Sequence, residues 1–255
     1  MITSFSITFV VIVFIVIYFR LYLYLFPKNR LTILMYHQID IKSDDDLTVS
    51  LENLEKQFEY LRRRKYHPKF FRDIDTRHNN SIIITFDDGY KNNYDYLPYL
   101  LEKFNLKATI FIPTKFIQEG YKDYEMMSFE EIRSLDKRCF EIALHSHSHK
   151  SFRDSTTNFI KADLQENMKI LKDHQIEFSK VLAYPYGKYP KKKTEKEKLF
   201  LNLKNSGILF AVRIGNKINY FPTKNSYELQ RIDIKGTDTL IKFKLKLIFG
   251  KLKLF

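Results

Sequence analysis

The chain has no tryptophan, one cysteine, and only seven glycines and seven prolines among 255 residues. With Cys139 alone, no intrachain disulfide can form, and cysteine usage gives no reading of the redox compartment. A lone cysteine without an identifiable partner reads as a small buried filler rather than a nucleophile. The scarcity of glycine and proline leaves no linker that would divide the chain, so one domain with a sizeable core is expected. Without tryptophan, any aromatic surface must be built from the 17 tyrosines and 23 phenylalanines.

Small residues and charge are also missing at the start. Ile2 to Phe19 carries no charge, and Leu21 to Phe26 continues apolar after Arg20. No glycine precedes Gly89, no alanine precedes Ala108 and no cysteine precedes Cys139, so neither a small-residue cleavage site nor a lipid-modified cysteine is available. Residues 1–27 therefore read as an uncleaved, single-pass anchor in the cell membrane. Arg20, Lys28 and Arg30 follow the uncharged run from Ile2 to Phe19, and the bias of basic residues would place the remainder on the cytoplasmic side.

The formal charge of +13 invites a nucleic-acid reading, but the basic residues are scattered and no nucleic-acid partner is expected. Residues 238–255 mix lysines with Phe, Leu and Ile. This tail reads either as a basic amphipathic segment on anionic lipid or as an ordinary helix docked on the fold.

Between these ends, apolar β-like runs recur at 31–36, 81–86, 108–112, 141–144, 181–184, 208–212 and 228–232. Helical patterns separate them at 51–64, 94–104, 129–135, 159–173 and 195–205, the third behind a capping box formed by Ser128 and Glu131. The alternation predicts an α/β fold, a distorted (β/α) barrel of about seven parallel strands preceded by an N-terminal transmembrane helix. Chemistry in such barrels gathers at the C-terminal strand ends. His37, Asp87, Asp88, His145 and Arg231 all fall at or just beyond those ends.

Ile82-Ile83-Ile84 runs into Thr85-Phe86-Asp87-Asp88-Gly89. Asp-Asp-Gly is ordinary turn chemistry, but adjacent carboxylates leaving a strand point different ways, so one can hold a metal while the other faces a bound water. A second cluster, His145-Ser146-His147-Ser148-His149, follows Ile142-Ala143-Leu144; read alone, it is a surface histidine tract or a ligand pair. Asp88 with His145 and His149 makes two imidazoles and one carboxylate, a set that suits Zn²⁺ or non-haem Fe²⁺. His147, offset from both, is expected to be a bystander. A non-haem iron oxygenase uses the same ligand types, but has no need of a second carboxylate beside the ligand.

Thr85 to Gly89, the His145 to His149 element and Ala183-Tyr184-Pro185-Tyr186-Gly187, in that order, resemble the polysaccharide deacetylase family with its NodB-homology domain, over about residues 31–234. Leu34-Met35-Tyr36-His37 brings the chain nearest the poly-N-acetylglucosamine deacetylase subgroup. The resemblance implies a carbohydrate N-deacetylase domain at 28–237. Asp87 would be the general base, with Asp88, His145 and His149 as metal ligands. His37 would be the general acid, and the Tyr186 backbone N–H would help stabilise the oxyanion. The divalent ion expected is Zn²⁺, with Co²⁺, Ni²⁺ or Fe²⁺ as alternatives. The substrate implied is an N-acetylated polysaccharide or a lipid-linked amino sugar at a membrane, which favours an extracytoplasmic domain.

The chain departs from that family at Ala183, where most members carry an arginine that orients the base. Arg231 is the candidate replacement, with an ordinary surface arginine as the other reading. The gap at Ala183 keeps open a catalytically silent carbohydrate-binding or scaffold protein on the same fold.

Overall fold

The protein is described here from a computed structural model, for residues 2–18, 29–43, 45–74 and 80–250. Seven strands close a parallel barrel: β1 (Arg30–Tyr36), β2 (Ser81–Asp87), β3 (Ala108–Ile112), β4 (Phe140–Leu144), β5 (Val181–Ala183), β6 (Phe210–Ile214) and β7 (Leu229–Asp233). Each pairs in parallel with the next, as in Thr85↔Thr109 and Ile110↔Ile142, and β1 completes the ring by pairing with both β2 (Ile33↔Ile83) and β7 (Leu34↔Ile232). Two short strands extend the sheet outside the ring, His67–Pro68 beside β2 and Asn219–Tyr220 antiparallel to β1.

A strand buried on both faces sends alternate side chains to opposite sides. One set, including Ile33, Ile83, Phe111, Ala143, Val181, Val212 and Leu229, forms a compact cluster inside the ring. The other, including Leu34, Ile84, Ile110, Leu144, Leu182 and Ile232, packs outward against the helices. Continuing the inward register by two residues at a time brings Thr85 and Asp87, His145, Arg231 and His37 to the upper rim. The site is thus set by the same alternation that builds the core.

The helices α2 (Leu51–Arg63), α3 (Lys91–Phe104), α4 (Thr114–Glu119), α5 (Phe129–Ser134), α6 (Thr157–Asp173), α7 (Lys193–Asn205) and α8 (Leu240–Phe249) cover the outside. The expected capping box is present: Ser128 Oγ accepts from the Glu131 N–H, and Glu131 Oε2 accepts from the Ser128 N–H. The predicted strand at 208–212 begins instead at Phe210. The Ile208 N–H donates to the Leu203 carbonyl after Gly207 turns at φ 74°, so Ile208 ends helix α7 rather than starting β6.

The structure bears on the expectations at both ends. The N-terminal helix α1 covers Ile2–Tyr18, 17 residues or about 25 Å, against about 30 Å for a bilayer core. Among the described residues no helix is long and apolar enough to cross a membrane. The rest of the expected anchor, from residue 19 to 27, lies outside the described residues. At the other end, α8 docks on the barrel, burying Phe243 and Leu247, with the Tyr60 ring edge-on to Phe243 at 6.4 Å. Lys242 and Lys246 pair with the buried Asp238, Lys246 largely covered by the fold and Lys242 still open to solvent. The docked alternative thus describes 240–249; residues 251–255, with Lys251 and Lys253, lie outside the described residues.

Candidate active site

At the top of β2 the chain delivers Asp87 inward and then turns sharply, with Asp88 at φ 75° and Gly89 at φ 76°. A left-handed residue other than glycine is costly, and here it points Asp88 away from the strand's alternation toward the histidine loop. His145 follows β4, and its Nδ1 lies 2.8 Å from the Ala183 carbonyl. That carbonyl can only accept, so Nδ1 carries the proton and Nε2 presents its lone pair to the site. His149 ends the same loop, also left-handed at φ 54°.

The three expected ligands converge. His149 Nε2 is 3.4 Å and His145 Nε2 is 3.6 Å from Asp88 Oδ1, and one donor atom from each residue lies within 4.8 Å of the others. Asp88 Oδ1 is buried without a hydrogen-bond partner, and so is His149 Nδ1. An orphaned carboxylate oxygen facing two imidazole nitrogens is a costly arrangement unless a cation occupies the space between them. The donor set and its geometry therefore fit a divalent metal. Burial first, and then the neighbouring His145, lower the His149 pKa to about 4 against the pull of Asp88. His149 is thus neutral near pH 7, the form that binds metal.

Asp87 stands beside this cluster, with Oδ2 3.8 Å from His145 Nε2. Arg231 reaches it from β7, past the intervening β1, and grips both oxygens, Nη1 to Oδ1 at 2.6 Å and Nη2 to Oδ2 at 2.7 Å. Arg231 is 1% exposed, so the surface reading of this residue does not hold. Its Nη1 also donates to Thr85 Oγ1 at 3.1 Å, and that hydroxyl donates to the Leu34 carbonyl. Burial alone would raise the Asp87 pKa; the Arg231 charge and its hydrogen bonds outweigh it and hold the carboxyl well below the usual carboxylate range. A fork-to-fork pair leaves Asp87 ionised and fixed in orientation.

His37 lies one residue beyond the Tyr36↔Phe86 pair and is half-buried, level with Asp87. Tyr186 takes φ 57° in the turn after β5 and sets its ring 4.7 Å from that of His149. The next residue must be glycine: a Cβ on Gly187 would come within 2.9 Å of the Ile214 backbone nitrogen. His147 turns away, its Nδ1 3.0 Å from Thr114 Oγ1.

Aromatic residues supply the rim. Phe116 stacks on Tyr121 at 3.9 Å and lies 5.0 Å from the His149 ring, and Tyr124 meets Tyr90 edge-on at 5.5 Å. The wall is tyrosine and phenylalanine, as a chain without tryptophan requires.

Sequence reasoning missed two residues that touch the site. Tyr90 donates from its hydroxyl to Asp88 Oδ2 at 3.3 Å. Asp163, on α6, accepts from the backbone of the histidine loop. The signal for Asp163 was an acid beside Ile160 and Leu164 within the apolar stripe of its helix. For Tyr90 the signal was only its place directly after Asp88-Gly89.

The pattern of the family described as polysaccharide deacetylase matches residues 75–201. YxkH of Bacillus subtilis, which bears a polysaccharide deacetylase name, is 28% identical over 167 residues, 63% of this chain and 58% of the relative. A Staphylococcus aureus poly-beta-1,6-N-acetyl-D-glucosamine N-deacetylase is 26% identical over 202 residues, 75% of this chain and 62% of the relative. The chain thus spans about 60% of the length of these curated relatives. Among solved structures, the Streptococcus pyogenes deacetylase PplD superposes with TM-score 0.73 at 16% identity, covering 86% of this chain and 98% of that one. IcaB from Ammonifex degensii gives 0.72 at 17% identity, covering 87% and 97%. At those identities the likeness concerns the fold.

Proposed function

The chain belongs to the polysaccharide deacetylase family, and on that premise we propose that it is a metal-dependent hydrolase that removes N-acetyl groups from an amino sugar. The observation that carries the reading is the buried Asp88, His145 and His149 cluster with Asp87 locked to Arg231 beside it. Asp88, His145 and His149 would hold a divalent ion, with Zn²⁺ the first expectation for this donor set. When bound, that ion acidifies water and polarises the acetamide carbonyl.

The residues of the chain divide the remaining work. Because Arg231 holds Asp87 ionised and weakly basic, Asp87 accepts a proton only from a water already made more acidic than bulk water. His37, on the same rim, supplies the proton that the leaving amine needs. The Tyr186 backbone N–H, in a turn fixed by Gly187, is the proposed donor to the carbonyl oxygen as negative charge develops there. The tyrosine rim offers flat apolar faces to a sugar ring, and its hydroxyls offer hydrogen bonds.

The relative from Staphylococcus aureus makes a poly-β-1,6-linked N-acetylglucosamine the first substrate to try, and a lipid-linked N-acetylhexosamine the second. Helix α1 supports the second, because Phe9, Val10, Phe14 and Ile17 all lie exposed on it and would be sheltered at a lipid surface. Against the silent carbohydrate-binding alternative, which rested on the gap at Ala183, stands the pairing of Arg231 with Asp87, which is the contact a replacement arginine would make.

Acetate release from both substrates, with Zn²⁺, Co²⁺ or Ni²⁺ supplied, tests the reading against Asp87→Asn and His37→Ala. The wild type should release acetate from at least one substrate, and each variant should lose at least 10²-fold in kcat, as removal of a general base or acid typically does. No acetate from either substrate overturns the substrate class. Acetate released equally by wild type and both variants overturns the roles.

A further inference from the structure

Asp163 is 6% exposed on α6, and among the described residues it makes no ion pair. A carboxylate that far from water is ordinarily matched by a cation. Here its two oxygens accept instead from two neutral backbone groups: Oδ2 from the His147 N–H at 3.1 Å and Oδ1 from the Ser148 N–H at 3.0 Å. Those two amides belong to the three-residue bridge between His145 and His149.

That bridge is held in an unfavourable shape. Ser146 and His149 both take left-handed conformations, φ 65° and 54°, which residues with a side chain adopt only where their surroundings impose them. Ser146 Oγ accepts from the His149 N–H at 3.1 Å, which fixes the far end. The His147 carbonyl accepts from the Lys115 N–H at 3.1 Å, and its ring meets Thr114, itself held by Asn167 Nδ2 at 3.1 Å. Asp163 is the one anion in this set, and it grips the middle of the loop from behind.

We propose that Asp163 is a positioning residue of the metal centre: its carboxylate straps the His147 and Ser148 backbone so that His145 and His149 aim at one point, and its unneutralised charge favours a divalent cation there. This rests on the reading that Asp88, His145 and His149 bind such an ion. The strap explains how two left-handed residues persist in one short loop. An ion held by Asp88, His145 and His149 would also offset the charge of this buried anion.

The test is Asp163→Asn in the full chain, which keeps the shape, removes the charge and sets an amide N–H₂ against a backbone N–H. Affinity for Zn²⁺ is read by chelator competition, and the Co²⁺-loaded protein is read by its visible absorption, which reports ligand geometry. The expected result is a 10- to 100-fold weaker affinity with an altered Co²⁺ spectrum, the range typical for loss of a residue that orients metal ligands. Thr114→Val, which touches the same loop without changing charge, should weaken binding less. Asp163→Asn with wild-type affinity and spectrum overturns the proposal, although the metal reading then stands. A wild type that binds neither ion overturns the metal reading, and the proposal with it. Should Asp163→Asn not fold, amide hydrogen exchange on the metal-free wild type decides. Protection at His147 and Ser148 comparable to that of α6 supports the strap, and rapid exchange there overturns it.

Discussion

Asp87 and Asp88 are neighbours in the chain and face different partners because the strand ends between them. Asp87 still obeys the two-residue alternation of β2 and points into the ring, where Arg231 meets it. Asp88 has left the strand at φ 75° and meets the histidines. Arg231→Ala should therefore act on Asp87 and spare the ligands. It leaves a buried carboxylate unpaired, and kcat should fall by at least 10²-fold while Zn²⁺ affinity stays near that of wild type. Arg231→Lys should recover only part of the loss, since one ammonium cannot grip both oxygens. Steady-state kinetics beside chelator competition check both, and unchanged kcat in Arg231→Ala would remove this arginine from the mechanism. Tyr90 acts on the other carboxylate. Removing its hydroxyl in Tyr90→Phe frees Asp88 Oδ2, and Zn²⁺ affinity should weaken about tenfold, measured in the same competition assay.

At the scale of elements, the strands were legible to within two residues because their β-branched and aliphatic runs are buried on both faces. The capping box at Ser128 was legible because it is a local hydrogen-bond pattern. Ser128→Ala should lower stability by about 1 kcal/mol, read by urea unfolding, without affecting metal affinity. Helix α4 was missed because Thr114–Glu119 is too short to show a period. Helix α8 could not be assigned from its pattern, since lysines alternating with apolar residues suit a lipid surface and a barrel face alike. Its docking was decided by Phe243 meeting Tyr60 and by Asp238 drawing in Lys246. Phe243→Ala should therefore cost about 3–5 kcal/mol of unfolding free energy, the range for a fully buried aromatic. A change below about 1 kcal/mol would mean that α8 is not packed as described.

For the whole molecule, the site sets the response of the metal-free protein to acid. The folded His149 has its pKa lowered to about 4 by burial, below the ordinary value of 6.5, so the unfolded chain binds more protons between those values. Stability therefore falls as pH drops from about 6.5 to about 4, by roughly 2–4 kcal/mol from this group. Asp87, also lowered, has the same sign and adds a further loss below about pH 3.8. Thermal melting of metal-free protein across pH 8 to 4 should show a plateau above about 7 and a decline beneath it. A flat profile down to pH 4 would mean that His149 is not buried in neutral form.

The sequence by itself determined the barrel, the rim and the candidate ligands, because all of these follow from period-two strands and from motifs at their ends. Asp88, His145 and His149 could be named together because each lies within a few residues of a strand terminus. What orients Asp87 was not determined locally: its partner Arg231 comes from β7, and only closure of the ring through β1 brings it against β2. In the sequence Ala183 reads as a loss, yet its carbonyl sets the His145 tautomer, a backbone role that no side-chain pattern reveals. Asp163 and Tyr90 belong to the same class, since their partners are a loop backbone and a carboxylate oxygen whose positions exist only in the folded chain. Motifs record which side chains meet the reaction; the tertiary structure decides what holds them still, because those supports come from wherever the fold brings a donor or an acceptor within about 3 Å.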